Sequence, residues 1–112
     1  MKIETRQVGD VTVMAPKGKI TIGVGDVALR EAIDEALEAG SRKLVLNMAG
    51  VTMIDSSGIG ELVSGYTTTS NRGGGLKLCN LPPRVSDILQ ITQLITIFEV
   101  FDDEQEAIAS FA

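Results

Sequence analysis

Lys43-Leu44-Val45-Leu46-Asn47-Met48 opens the stretch that decides the fold, and Ile54-Asp55-Ser56-Ser57-Gly58 closes it. Its first half holds a short unbroken apolar run, the pattern of a strand covered on both faces and therefore central in its sheet. Beyond the Ser-Ser-Gly corner, Ile59, Leu62, Val63 and Tyr66 recur at helical spacing until Asn71-Arg72-Gly73-Gly74-Gly75 breaks the pattern. This predicts a helix from about Ser57 to Ser70. A buried strand feeding an amphipathic helix is the repeating unit of an α/β sheet.

Upstream, Ile3 to Gln7 and Val11 to Ala15 alternate apolar with polar on either side of Val8-Gly9-Asp10, which predicts a hairpin. Leu29, Ala32, Ile33, Ala36 and Leu37 follow helical spacing, with charges on the other faces, and Ala39-Gly40 ends that helix. Downstream, Leu76 to Cys79 reads as a strand, and Pro82-Pro83 can open a helix carrying Val85, Ile88 and Leu89. Ile97 to Phe101 has strand-forming residues, and Asp102-Asp103 can cap a last helix with Ala107, Ile108 and Phe111. The order β-β-α-β-α-β-α-β-α predicts one α/β domain over residues 1–112: a mixed sheet with an N-terminal hairpin and about four helices packed on it.

Composition narrows the function. A net charge of -5 without a Lys/Arg cluster, and only three Phe and one Tyr, argue against nucleic-acid binding. No apolar run is long enough for membrane insertion, and Met1 to Arg6 already alternates like a strand rather than a signal peptide; the expected location is the cytoplasm. The chain has no histidine, which excludes a Ser-His-Asp triad, a histidine general base and a histidine-ligated metal. The lone Cys79 sits in a strand-like run and reads as a core thiol. No cofactor is expected.

Two glycine motifs invite a ligand reading and do not sustain it. Gly23-Val24-Gly25-Asp26-Val27-Ala28 fits G-x-G-x-x-A, yet the next strand ends at Asn47-Met48, without the acid that would hold a ribose, and the chain has too few elements for two dinucleotide halves. It reads instead as a turn into a helix capped by Asp26. Gly73-Gly74-Gly75 lacks a following Lys-Ser/Thr and reads as a helix stop. Asp55-Ser56-Ser57-Gly58 differs in position, because it joins a strand end to a helix start, where open α/β sheets place their sites. Unpaired N–H groups and a partial positive charge let a serine cap such a helix and let a phosphate be tolerated there. Asp55 as a phosphate acceptor is disfavoured, since Ile20-Thr21-Ile22-Gly23 offers no acids to hold Mg²⁺.

The whole chain resembles the STAS domain of bacterial anti-sigma factor antagonists. The likeness is densest from Leu44-Val45-Leu46-Asn47 through Met53-Ile54-Asp55-Ser56-Ser57-Gly58-Ile59-Gly60 to Leu76-Lys77-Leu78-Cys79-Asn80. Pro83-Arg84-Val85 and Leu94-Ile95-Thr96-Ile97-Phe98 look like that family's third helix and last strand. The resemblance implies a binder rather than an enzyme: the serine after the aspartate, here Ser56, is phosphorylated by an anti-sigma factor with serine kinase activity and restored by a serine phosphatase. By the same resemblance the unmodified form would bind the anti-sigma factor and the phosphorylated form would release it, with Ser57 as the alternate acceptor.

The expected docking surface combines Thr21, Gly23, Gly25 and Asp26 with Asp55, Ser57, Gly58 and Gly60, and with Glu61, Ser64 and Thr68 on the outward face of the second helix. One position departs from the family: Gly18-Lys19-Ile20-Thr21 has Thr21 where an acid often stands. That leaves a second reading, a non-cycling STAS scaffold or an accessory subunit of a stressosome or of a lipid or anion transport complex.

Overall fold

The computed structural model describes residues 1–112. Strand β1 (Lys2–Val8) turns through Gly9-Asp10 into β2 (Val11–Ile20), and Gly9 takes the positive φ, +62°, that so tight a reversal favours. Then follow α1 (Asp26–Glu38), β3 (Lys43–Asn47), β4 (Val51–Ile54), α2 (Ser56–Asn71), β5 (Gly75–Cys79) and α3 (Pro83–Ile91). A 3-10 turn at Leu94–Thr96, β6 (Glu99–Phe101) and α4 (Glu104–Ala109) complete the chain. No helix is long and apolar enough to cross a membrane.

The sheet runs β1-β2-β3-β5-β6, with β1 antiparallel to β2 and the other neighbours parallel. The mixed sheet, the opening hairpin and the four helices are as the sequence predicts. Strand β2 serves two partners on one side: Val11 to Met14 pair with β3, whereas Gly18 to Ile20 pair with β4, the register shifting between Gly18 and Lys19. Pro16 falls between these two ladders, so β2 accommodates it without losing a bond to either.

Three expectations need correction. Val51–Ile54, absent from the predicted order, forms β4; its buried residues are Val51 and Ile54, with Thr52 and Met53 exposed, so it carries no two-residue alternation. The last strand is Glu99–Phe101 rather than Ile97 to Phe101, and Leu94 to Thr96 curl into a 3-10 turn behind Gln93, whose φ of +63° breaks any extended run. Asp26 is the first residue of α1 rather than its cap; Gly25 holds the cap position.

Strand β3 is covered on both faces. Leu44 and Leu46 join the main core with Leu29, Ile33 and Leu37 of α1, Leu62 of α2 and Leu89 of α3. Burying each such leucine or isoleucine contributes about 1.5–3 kcal/mol. Val45 points the other way, into a small cluster with Val11, Val13, Cys79 and Ala107, flanked by Phe101, Ile108 and Phe111. Only α4 covers that second face. The Lys77 ammonium helps to hold it: it donates to Ser110 Oγ at 2.7 Å, meets a Glu99 carboxylate oxygen at 3.1 Å and lies 4.1 Å from the centre of the Phe111 ring.

Candidate functional site

The corner between β4 and α2 is built around Asp55. Its backbone is extended, with φ -113° and ψ -171°, and its side chain caps α2 by accepting the Gly58 N–H at 3.0 Å. The other carboxylate oxygen accepts the Ile22 N–H at 3.0 Å. One carboxylate thus ties the helix start to the loop between β2 and α1. The Gly58 bond first and the Ile22 bond second hold the Asp55 carboxyl below its ordinary range.

The glycines here make room for backbone. A Cβ on Gly58 would overlap the Ile20 carbonyl oxygen and crowd the Ile54 side chain, and a Cβ on Gly25 would overlap the Lys19 carbonyl oxygen. Both helices therefore begin hard against the end of β2. In the loop, the Thr21 carbonyl accepts the N–H groups of Val24 at 3.0 Å and Gly25 at 3.2 Å. Gly23 has a φ of +73°, and its N–H donates to Asp26 Oδ1 at 3.0 Å, which also accepts the Val27 N–H at 2.8 Å. Buried Asp26 braces the turn from inside.

Ser56 is the first residue of α2 and is exposed, while Ser57 is half-buried. The capping role that a serine could have taken belongs to Asp55. Exposed Gly60, Ser64 and Thr67 follow Ser56 along one stripe of the helix. Glu61 does not belong to that outward face. It reaches α1, where its Oε1 accepts from Arg30 at 2.8 Å and 3.2 Å, and its side chain is only 15% exposed. These bonds raise the Arg30 guanidinium above its ordinary value. Half-buried Thr68 and exposed Ser64 line the crevice beside this ion pair.

The structure thus places the predicted loop residues Thr21, Gly23, Gly25 and Asp26 beside Asp55 to Gly60 as one contiguous corner. Sequence reasoning missed the apolar residues around it: Ile22 is 72% exposed, Val24 52% and Val27 45%, and Met53 on β4 is also exposed. Their signal was apolar side chains interleaved with loop glycines. It missed Arg30 too, for which only the packing of α1 on α2 gives a reason.

Comparison with known proteins agrees with this architecture. The STAS domain family model matches residues 2–107. A homologue of a candidate anti-sigma factor antagonist, from Thermotoga neapolitana, is 31% identical over 90% of this chain and 89% of its own length. The anti-sigma F factor antagonist of Paenibacillus polymyxa is 26% identical over 96% of this chain and 92% of its own. The crystal structure of a candidate anti-sigma factor antagonist from Thermotoga maritima superposes with a TM-score of 0.89 at 27% identity, covering 96% of this chain and 92% of that one. Across its matched length, then, the chain belongs to the STAS domain family, among the anti-sigma factor antagonists.

Proposed function

We propose that this chain binds an anti-sigma factor that is also a serine kinase, and that phosphorylation of Ser56 switches the complex off. The observation that carries the reading is the state of Ser56: exposed at the first turn of α2, next to the Asp55 cap, and bordered by a loop that presents Ile22 and Val24 and by Val27 at the start of α1. A partner docked on this corner buries apolar surface and stands directly over the hydroxyl.

The modification is simple in chemistry. Ser56 Oγ bonds to the terminal phosphorus of a nucleoside triphosphate held by the partner, the bond to the diphosphate breaks, and the hydroxyl proton passes to a base on the partner. A serine phosphatase reverses it by hydrolysis. The product adds about -1.5 to -2 charges beside Asp55, opposing both the docked partner and the carboxylate that holds Ile22. A hundredfold loss of affinity needs only about 2.7 kcal/mol, within reach of one misplaced charge at an interface.

Thr21 supports the second reading. It contributes its backbone carbonyl to the loop and brings no carboxylate, so a scaffold or transport accessory that never cycles remains the alternative. Phosphopeptide mass spectrometry of the protein isolated from its native cells, in growth and under stress, decides between them, with Ser56→Ala as control. Condition-dependent phosphate on Ser56 is expected. Partners retained while Ser56 stays bare in every condition would sink the switch, and phosphate on Ser57 alone would move it by one residue.

A further inference from the structure

We propose that the free edge of β1 pairs with β1 of a second copy of this chain, antiparallel and centred on Thr5, to join two sheets into one. Strand β1 pairs with β2 without interruption from Lys2 opposite Lys17 to Val8 opposite Val11, so it is continuous, seven residues long and free of bulge or proline. Its outer side carries unpaired N–H and C=O groups, a template for another strand. The edge strand at the opposite end of the sheet, β6, has three residues and offers little to pair with.

The sequence of the edge selects both occupant and register. A two-fold antiparallel pairing must be centred on one residue, and side chains directly opposite one another interact most strongly. Centred on Thr5, the pairing sets Glu4 against Arg6 of the second copy and Arg6 against its Glu4, with Ile3 opposite Gln7 and Lys2 opposite Val8. Centred on Glu4, it opposes Lys2 and Arg6 twice. Centred on Arg6, it makes no pair of opposite charges. Edge charges commonly discourage strand addition. Here their order is complementary to itself in one register, so the same charges admit a second copy and disfavour the slipped pairing.

Both groups have the reach and capacity to pair. Glu4 and Arg6 lie two residues apart and so on one face of the strand, and their side chains are 52% and 53% exposed. Within the chain Glu4 accepts from Lys17 at 3.2 Å, and Arg6 contacts Glu104 through one terminal nitrogen. A guanidinium has five donors and a carboxylate about four acceptor sites, so each can take a second partner. Strand β1 lies on the opposite side of β2 from β3 and β4, so pairing leaves the β4–α2 corner open. The dimer then presents two Ser56 corners.

Sedimentation of the intact chain, up to about 1 mM, tests this in the weak-affinity range. A reversible monomer–dimer equilibrium is expected. Glu4→Arg and Arg6→Glu each set like charges opposite one another in the proposed register, and each should weaken association at least about tenfold. An equimolar mixture of the two variants should recover it, because each strand then opposes charges of the other sign. Circular dichroism checks that both variants fold. The proposal is overturned if the wild-type chain stays monomeric throughout, if either folded variant associates as tightly as wild type, or if the mixture gains nothing.

Discussion

The carboxylate of Asp55 holds the backbone N–H of Ile22 at 3.0 Å across 33 residues of sequence while capping its own helix. The loop bearing Ile22 and Val24 therefore has its position set by the residue next to Ser56, and cap and loop respond together.

Removing that carboxylate should loosen both. In Asp55→Ala the Ile22 and Gly58 amides should exchange with solvent roughly five- to tenfold faster, the scale of a lost helix cap. Asp55→Asn keeps one acceptor oxygen and should show a smaller effect at Gly58 than at Ile22. Amide exchange read by NMR checks both, and unchanged exchange at Ile22 in Asp55→Ala would refute the clamp.

Acid should do the same reversibly. The Asp55 carboxyl titrates below its ordinary value of 3.8 in the folded chain, so its contribution is complete above that value and is lost as pH falls through the lower, folded one. The Ile22 and Gly58 amide shifts should move together in a single step below about pH 4. A step above that pH would contradict the assignment.

Ser56→Ala should leave stability within about 0.5 kcal/mol of wild type, because the cap is Asp55 and the hydroxyl is exposed. Urea unfolding reads this directly. If the proposed switch operates, the substitution should also abolish phosphate incorporation by a partner kinase, whereas a shared role for Ser57 would leave a residue of it.

Gly58 and Gly60, two residues apart on one helix, should answer to alanine with opposite signs. Gly58→Ala drives a methyl group into the Ile20 carbonyl and should destabilise by roughly 1–3 kcal/mol. Gly60→Ala meets open space and should stabilise α2 by roughly 0.5–1 kcal/mol, while impairing binding if a partner approaches there. Urea midpoints for the two variants give the comparison.

Cys79 should be inert in the folded chain. Burial first, then the charges of Glu104 and Asp103, push its thiol up to about 11, so almost no thiolate exists at neutral pH. A disulfide reagent at pH 8 should label it at least about a hundredfold more slowly in the native protein than in urea.

Much of this was legible before the structure. The run Leu44-Val45-Leu46 announced a strand buried on both faces, and the spacing from Leu29 to Leu37 announced α1, because each pattern is local and repeats. Val51 to Ile54 was not legible: four residues without alternation become a strand only because the far half of β2 passes beside them. The corner at Asp55-Ser56-Ser57-Gly58 could be placed from sequence, but the division of labour within it could not. Which residue caps, and that Glu61 turns inward to Arg30, depend on how α1 and the loop before it lie against α2.

The second face of the sheet has a different consequence, for how the protein can be lost. A nick or frameshift that removed residues 104–112 would spare every residue of the Ser56 corner, yet would uncover Val11, Val13, Val45 and Cys79 together. Such a chain keeps the β4–α2 corner and gains an aggregating surface. In a cell its defect would register as a fall in abundance through clearance of misfolded chains, with the β4–α2 corner intact in the survivors.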